Sequence, residues 1–259
     1  MLRCRLASGP LIAGLLIATS GLAGAEPKAL IELFTSQGCS SCPPADKLLG
    51  ELAADPSLIA ISDPIDYWDY LGWKDTLAMP GHSARQRAYA HVRGDREVYT
   101  PQVVVNGSAD VLGSDRTAIE RAVVQTDQKA AVMSLPVLLS LGGSVLNINV
   151  QAKGAGHPGE VWLCPLARAM TVAIGRGENH GHTITYHNVV RGWIKLGDWN
   201  GADADWTIPV SDIKAGDADA AVVMVQEGMH DKPGIILGAA YMPIGQLSSS
   251  EARQTTDAK

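Results

Sequence analysis

Apolar and polar positions follow two different patterns along this chain. From Glu26 to about Ala130, strand-like and helix-like stretches alternate. Lys28 to Phe34 is an apolar run around one acid, as in a strand buried on both faces. Pro43 to Ala54 reads as a helix with Leu48, Leu49 and Leu52 on one side. Leu58 to Ser62 reads as a short strand, His82 to Arg93 as a polar helix, and Gln102 to Val105 as a strand. Asn106-Gly107 signals a hairpin, and Ser114 or Asp115 caps a helix running to about Gln128. Such alternation predicts an α/β layer fold.

From Leu135 onward the pattern changes to short strand-like runs separated by Gly, Pro, Asn and Asp clusters. Leu135–Leu141 and Val145–Gln151 flank Gly142-Gly143 as a hairpin. Further strands are expected over Val161–Ile174, Thr183–Leu196, Asp219–Gln226 and Ile235–Tyr241. Short strands between turn residues predict an antiparallel, β-sandwich-like layer. The expected division is an α/β domain over 26–130, a β-rich domain over 131–246 and a disordered tail over 247–259.

The first residues are read as a signal peptide. Arg3 and Arg5 precede an apolar stretch from Leu11 to Leu22, and Ala23-Gly24-Ala25 supplies the small residues of a cleavage site. The stretch is shorter than the roughly 20 apolar residues that cross a bilayer. Cleavage would start the chain at Glu26. It would remove two arginines and no acid, taking the net charge from −6 to −8. That charge, without a basic cluster, argues against nucleic acid as a partner. No later segment reads as a membrane span. The expected location is periplasmic or secreted.

Cys39, Cys42 and Cys164 remain after cleavage, which is one local pair and one leftover thiol. Cys39-Ser40-Ser41-Cys42 lies between a buried strand and a helix, the setting of a redox pair. Cys39 would attack a disulfide and Cys42 would resolve the mixed intermediate. Pro44 has no N–H, so the helix cap is Ser41 or later. A structural disulfide and a metal site using both thiolates stay open at this point. Zinc wants four ligands and no second Cys-x-x-Cys exists; copper(I) needs fewer soft ligands. Glu32, inside the apolar run, is a candidate proton relay if it lies beneath the pair. Thr100-Pro101 would present the Thr100 backbone to an extended substrate if its peptide bond were cis.

These residues resemble thioredoxin in their order. More narrowly, Glu32-Leu33-Phe34-Thr35-Ser36-Gln37-Gly38-Cys39-Ser40-Ser41-Cys42-Pro43-Pro44-Ala45-Asp46 resembles a family of secreted bacterial thioredoxin-like proteins of unassigned function (domain of unknown function 1223). So do Asp66 to Asp75, Arg85-Gln86-Arg87-Ala88-Tyr89, Tyr99-Thr100-Pro101-Gln102, Gly177-Glu178-Asn179 and Asn188-Val189-Val190-Arg191. The resemblance implies a thioredoxin-like fold, export and a β-rich second half. It implies no substrate. Relative to thioredoxin, Glu32 is one residue further from Cys39. Relative to the family, Pro64 stands where a histidine commonly precedes the Asp-Tyr-Trp segment.

Tyr67, Trp68 and Trp73 crowd one loop and are read either as substrate contacts or as a lid joining the two halves. His180, His182 and His187, with Cys164 and Met170, invite a metal site, but strand parity sets 187 opposite 180 and 182. Cys164 is expected to be a buried, inert strand cysteine. Glu178, Asn188 and Arg191 are expected to fix a turn or an interdomain contact. No nucleophile elbow, P-loop or dinucleotide fingerprint is present. The expected function is an exported thiol–disulfide oxidoreductase acting on protein or small-molecule thiols and disulfides with a redox partner. It needs no cofactor and no metal. The alternative is a non-enzymatic copper(I)- or partner-binding protein.

Overall fold

The computed structural model describes residues 26–95, 97–152, 158–214 and 216–244. The expected signal peptide and the tail from Gln246 lie outside the described residues.

The apolar run forms β1 (Ala29–Thr35), which is buried along its whole length. Its alternate positions face two different cores. Ala29, Ile31 and Leu33 pack with Ala45, Leu48, Leu49 and Leu52 of α1 (Pro43–Leu52) and with Ile119 and Ala122 of α3 (Arg116–Asp127). Leu30, Glu32 and Phe34 face the other way, toward α2 (Pro80–Arg93) and the second half of the chain. β2 (Leu58–Pro64) pairs parallel with β1 and runs two residues past the expected Ser62. β3 (Gln102–Val105) pairs antiparallel with β1, and β4 (Ala109–Leu112) with β3. The β3–β4 turn is Asn106-Gly107 with φ of 50° and 69°, the double left-handed geometry this dipeptide favours. A Cβ at Gly107 would lie 2.3 Å from the Gly234 carbonyl oxygen, so glycine is required twice over. Asp115 caps α3 by accepting from the Ala118 N–H.

The second half supplies β5 (Val137–Gly142), β6 (Val145–Val150), β7 (Gly159–Ala173), β8 (Thr183–Val190), β9 (Ile194–Trp199), β10 (Ala204–Pro209), β11 (Ala220–Met229) and β12 (Lys232–Pro243). Two differences from the expected strands stand out. The run Thr183–Leu196 is broken at Arg191–Trp193 into β8 and β9, because β7 is long enough to pair with both. β10 was not anticipated; its half-buried Ala204, Trp206 and Ile208 alternate with exposed Asp205, Thr207 and Pro209.

One sheet spans both halves, in the order β12-β11-β7-β8-β2-β1-β3-β4, with β9 also on β7. The seam is the parallel contact of β2 and β8 at Ser62 and Val189. Asn188, at φ 47°, reinforces it by donating to the Ala60 carbonyl at 2.9 Å. The sheet curls, so that Leu30, Ile59 and Ile61 pack against Cys164, Leu166, Val222 and Met224. The opposite faces of β7 and β11 pack on the second sheet, β10-β6-β5, through Val161, Leu163, Val223, Leu146 and Ile148.

Helix α2 is polar yet largely buried, because it packs through a polar network. Arg85 donates from Nε to Glu32 at 2.5 Å and from Nη2 to Glu32, Tyr89 and Gln226. Its guanidinium lies 4.0 Å from the Trp193 ring centre. Burial opposes the charge on Arg85, but Glu32 and Tyr89 hold it protonated. Burial also pushes the Asp63 carboxyl well up and His82 down to about 4; His82 Nδ1 donates to the Pro64 carbonyl at 2.8 Å.

Removing one partner of a buried ion pair leaves an uncompensated charge. Glu32→Ala is expected to cost about 3–5 kcal/mol of stability, by analogy with other broken buried pairs. Urea unfolding measures it, with Glu32→Gln losing less because the hydrogen-bond acceptor survives.

Candidate functional site

After Thr35 the chain turns through Ser36 to Ser41 into α1. Cys42 is the N-cap, with φ −79° and ψ −34°. Pro43 and Pro44 take the first two helical positions, where a missing N–H costs nothing. The Ala45 and Asp46 amides return to the Cys42 carbonyl. Ser41 is therefore not the cap. Its hydroxyl lies 3.3 Å from Cys39 Sγ and donates to the Thr100 carbonyl at 3.4 Å.

Cys39 and Cys42 form a disulfide. Cys42 is fully buried and Cys39 is 4 % exposed, beneath the exposed Ser40 and Ser41. The Thr100–Pro101 peptide bond is cis. The bond from Ser41 places the Thr100 carbonyl beside the pair.

The loop from Asp66 to Ala78 wraps the other side. Trp68 Nε1 donates to Thr100 Oγ1 at 2.8 Å, and Trp73 Nε1 donates to Gln37 Oε1 at 2.8 Å. Asp75 accepts from the Gln37, Leu77 and Ala78 amides. Trp73 also rests on Gly175 and Gly177 of the β7–β8 loop. Trp68 and Trp73 thus touch the dithiol loop, and Trp73 also joins the two halves. Tyr67 turns inward: its hydroxyl donates to Gln86 at 3.0 Å and its ring packs with Phe34, Ile65 and Tyr89. The accessible aromatic is Tyr70, 76 % exposed and stacked on Trp68.

Glu32 does not lie beneath the pair. The parity of β1 turns it to the face opposite α1, where Arg85 and Tyr89 occupy its oxygens. The buried acid beside the pair is Asp46, one helical turn after Cys42. Thr35 Oγ1 donates to its Oδ1 at 2.7 Å, and its Oδ2 has no hydrogen-bond partner within the protein. Burial, reinforced by Asp75, pushes this carboxyl up to about 8 against the Thr35 hydrogen bond. A sequence signal existed: Asp46 falls among Ala45, Leu48 and Leu49, on the buried side of an amphipathic helix.

The β7–β8 loop closes the site from the second half of the chain. Asn179, buried, donates to the carbonyls of Gln37 at 2.9 Å and Cys39 at 2.8 Å. Glu178 accepts from the Ser40 N–H at 3.3 Å. Glu178 therefore makes the expected contact between the two halves, and makes it at the cysteine loop. Arg191 does make a structural contact, pairing with Asp217 and donating to the Leu77 carbonyl. His180 and His182 are exposed at the turn, whereas the His187 ring lies against Gly50. Cys164 is buried, its thiol pushed well up by burial. Among the described residues, no group of three or more His, Cys, Asp or Glu is placed to hold a metal ion. Among the same residues, no helix is long and apolar enough to cross a membrane.

A cystine at a helix start, on a mixed α/β fold with a large sheet, is the class of protein these features define. The chain belongs to the family described as protein of unknown function (DUF1223), which matches residues 30–226. It is similar to the crystal structure of a protein from Agrobacterium tumefaciens, at 29% identity and a TM-score of 0.77. That match covers 86% of this chain and 97% of the other. No match is found among the curated proteins.

Asp46 leaves a measurable trace. Its folded pKa of about 8 exceeds the ordinary 3.8, so above about pH 4 the unfolded chain loses this proton while the folded chain keeps it. The contribution of Asp46 to stability therefore falls as pH rises from about 4 to 8. Asp46→Asn is expected to remove that slope, so its Tm gains on wild type between pH 5 and pH 8. Parallel Tm curves for the two proteins would contradict the assignment.

Proposed function

We propose that this protein is an exported thiol–disulfide oxidoreductase working through Cys39 and Cys42 in a thioredoxin-like arrangement. The observation that carries the reading is the cystine itself, with Cys39 4 % exposed and linked through the Ser41 hydroxyl to the Thr100 carbonyl, and Cys42 buried one turn ahead of an acid whose pKa burial raises. The strand order, the helix that starts at the pair and the Thr100–Pro101 segment support the thioredoxin-like comparison. The signal-like pattern over residues 1–25 and the disulfide support a periplasmic or secreted location.

A substrate thiolate attacks Cys39 sulfur. The Cys39–Cys42 bond breaks, a new bond joins Cys39 to the substrate, and Cys42 departs as a thiolate. Asp46 gives its proton to Cys42, leaving a carboxylate and a thiol. A second substrate thiolate then attacks the substrate sulfur of the mixed disulfide and releases Cys39. Run in reverse, the same atoms reduce a substrate disulfide, with Asp46 taking the proton from Cys42. Thr100, Pro101, Trp68 and Tyr70 border the position of the incoming sulfur. Tyr67 and Trp73 hold the loop that carries them.

Insulin reduction with dithiothreitol tests the proposal. Wild type is expected to accelerate precipitation, and Cys39→Ser to abolish the effect. Cys42→Ser should stop turnover but keep the first attack: its Cys39 thiolate should cleave 5,5′-dithiobis(2-nitrobenzoate), release one 5-thio-2-nitrobenzoate and retain the other as a stable mixed disulfide. Equal rates for wild type and Cys39→Ser would overturn the oxidoreductase reading.

A further inference from the structure

The dithiol loop is held from outside by the Asn179 amide and by the carboxyl groups of Asp75 and Glu178. Asp75 takes the Gln37 amide from below, Asp46 lies one turn beyond Cys42, and Glu178 takes the Ser40 amide at the surface. Among the hydrogen bonds and ion pairs of the described residues, no lysine or arginine bonds to residues 36–42. Lys47, the cation nearest the pair in sequence, lines a surface recess with Thr183 and His187 instead.

Of the three acids, Asp46 and Asp75 are buried and only Glu178 is exposed. It therefore meets a charge on an arriving substrate. It also occupies the Ser40 N–H, which adjoins the attacking cysteine and would otherwise be free to turn toward a sulfur anion. Both effects have one sign. A carboxylate at the mouth raises the energy of a thiolate at Cys39 and of any anion brought to it.

We infer that Glu178 is a specificity-determining residue of this dithiol: it disfavours the Cys39 thiolate and selects cationic and neutral disulfides over anionic ones. The inference rests on the oxidoreductase reading and narrows it. Stabilising the thiolate stabilises the reduced pair, and Glu178 opposes this, so it shifts the couple toward the disulfide and makes the reduced protein a better donor of electrons. In the selected reaction, Cys39 thiolate attacks one sulfur of cystamine. The cystamine S–S bond breaks, cysteamine leaves as a thiolate, and it takes its proton from water. Cys42 then closes the disulfide and a second cysteamine leaves.

The test uses the full reduced protein with cystamine (cationic), 2,2′-dithiodipyridine (neutral) and oxidised glutathione (anionic). Wild type is expected to react faster with cystamine than with oxidised glutathione. Glu178→Gln should lower that ratio by about three- to tenfold, the size expected for one charge several ångströms away in a largely aqueous setting. Glu178→Lys should lower it further, and added salt should shrink the wild-type preference. Iodoacetamide alkylation against pH should show Cys39 ionising at lower pH in Glu178→Gln. If exchange proceeds but the ratio is the same in all three proteins, Glu178 is not the selector and the inference falls. If no protein exchanges with any disulfide although iodoacetamide alkylates Cys39, the oxidoreductase reading falls and takes this inference with it.

Discussion

A guanidinium removed from water must find anionic and polar partners on every side, and Arg85 finds them on three separate segments. Glu32 comes from β1, Tyr89 from the same helix, and Gln226 from β11, with Trp193 against the guanidinium. Glu32 and Gln226 tie α2 to β1 and to β11, and Tyr89 bonds to both. Together they set how the first half of the chain meets the second. The β2–β8 seam is short, a single register pair with one side-chain bond across it. The polar cluster inside the curl holds the seam closed. Buried ion pairs are weak sources of net stability, but they tolerate few alternative geometries.

That fixed meeting carries the β7–β8 loop to the dithiol. The loop spans from Ala173 to Thr183, and its tip reaches residues that lie some 140 positions earlier. The pair is thus enclosed on one side by the aromatic loop after β2 and on the other by the second half. Only the two serines between the cysteines are open to solvent. An electrostatic setting of this kind has no local origin. Asp46 is neutral because it is buried, and it is buried because β8 and the Asp75 loop cover the start of α1.

Much of the fold was legible in the residues. The strand–helix alternation, the Asn106-Gly107 hairpin, the Asp115 cap and the Gly143 turn all follow from local chemistry, and each element formed near its expected bounds. The cysteine pair and the Thr100-Pro101 segment were legible for the same reason. What was not legible depended on which face a residue took. An acid in a strand buried on both sides can turn to either, and Glu32 turned away from the cysteines toward an arginine on α2. Asp46 stands in a first helical turn, where acids are common and favourable, and only its place among Ala45, Leu48 and Leu49 marked it as buried. The break between β8 and β9 came from the length of β7, a partner strand rather than the run itself. Glu178 and Asn179 were set in a Gly-flanked turn, and nothing nearby in sequence pointed to the cysteines.

Asn179 has a consequence in time as well as in space. During synthesis the two cysteines emerge early, while the amide that bonds the Cys39 carbonyl follows about 140 residues later. The pair is thus made before the residues that surround it. The Glu178 and Asn179 contacts form only when the β7–β8 loop has folded onto the cysteine loop. A chain that stopped short of Glu178 would carry the same two sulfurs without these contacts.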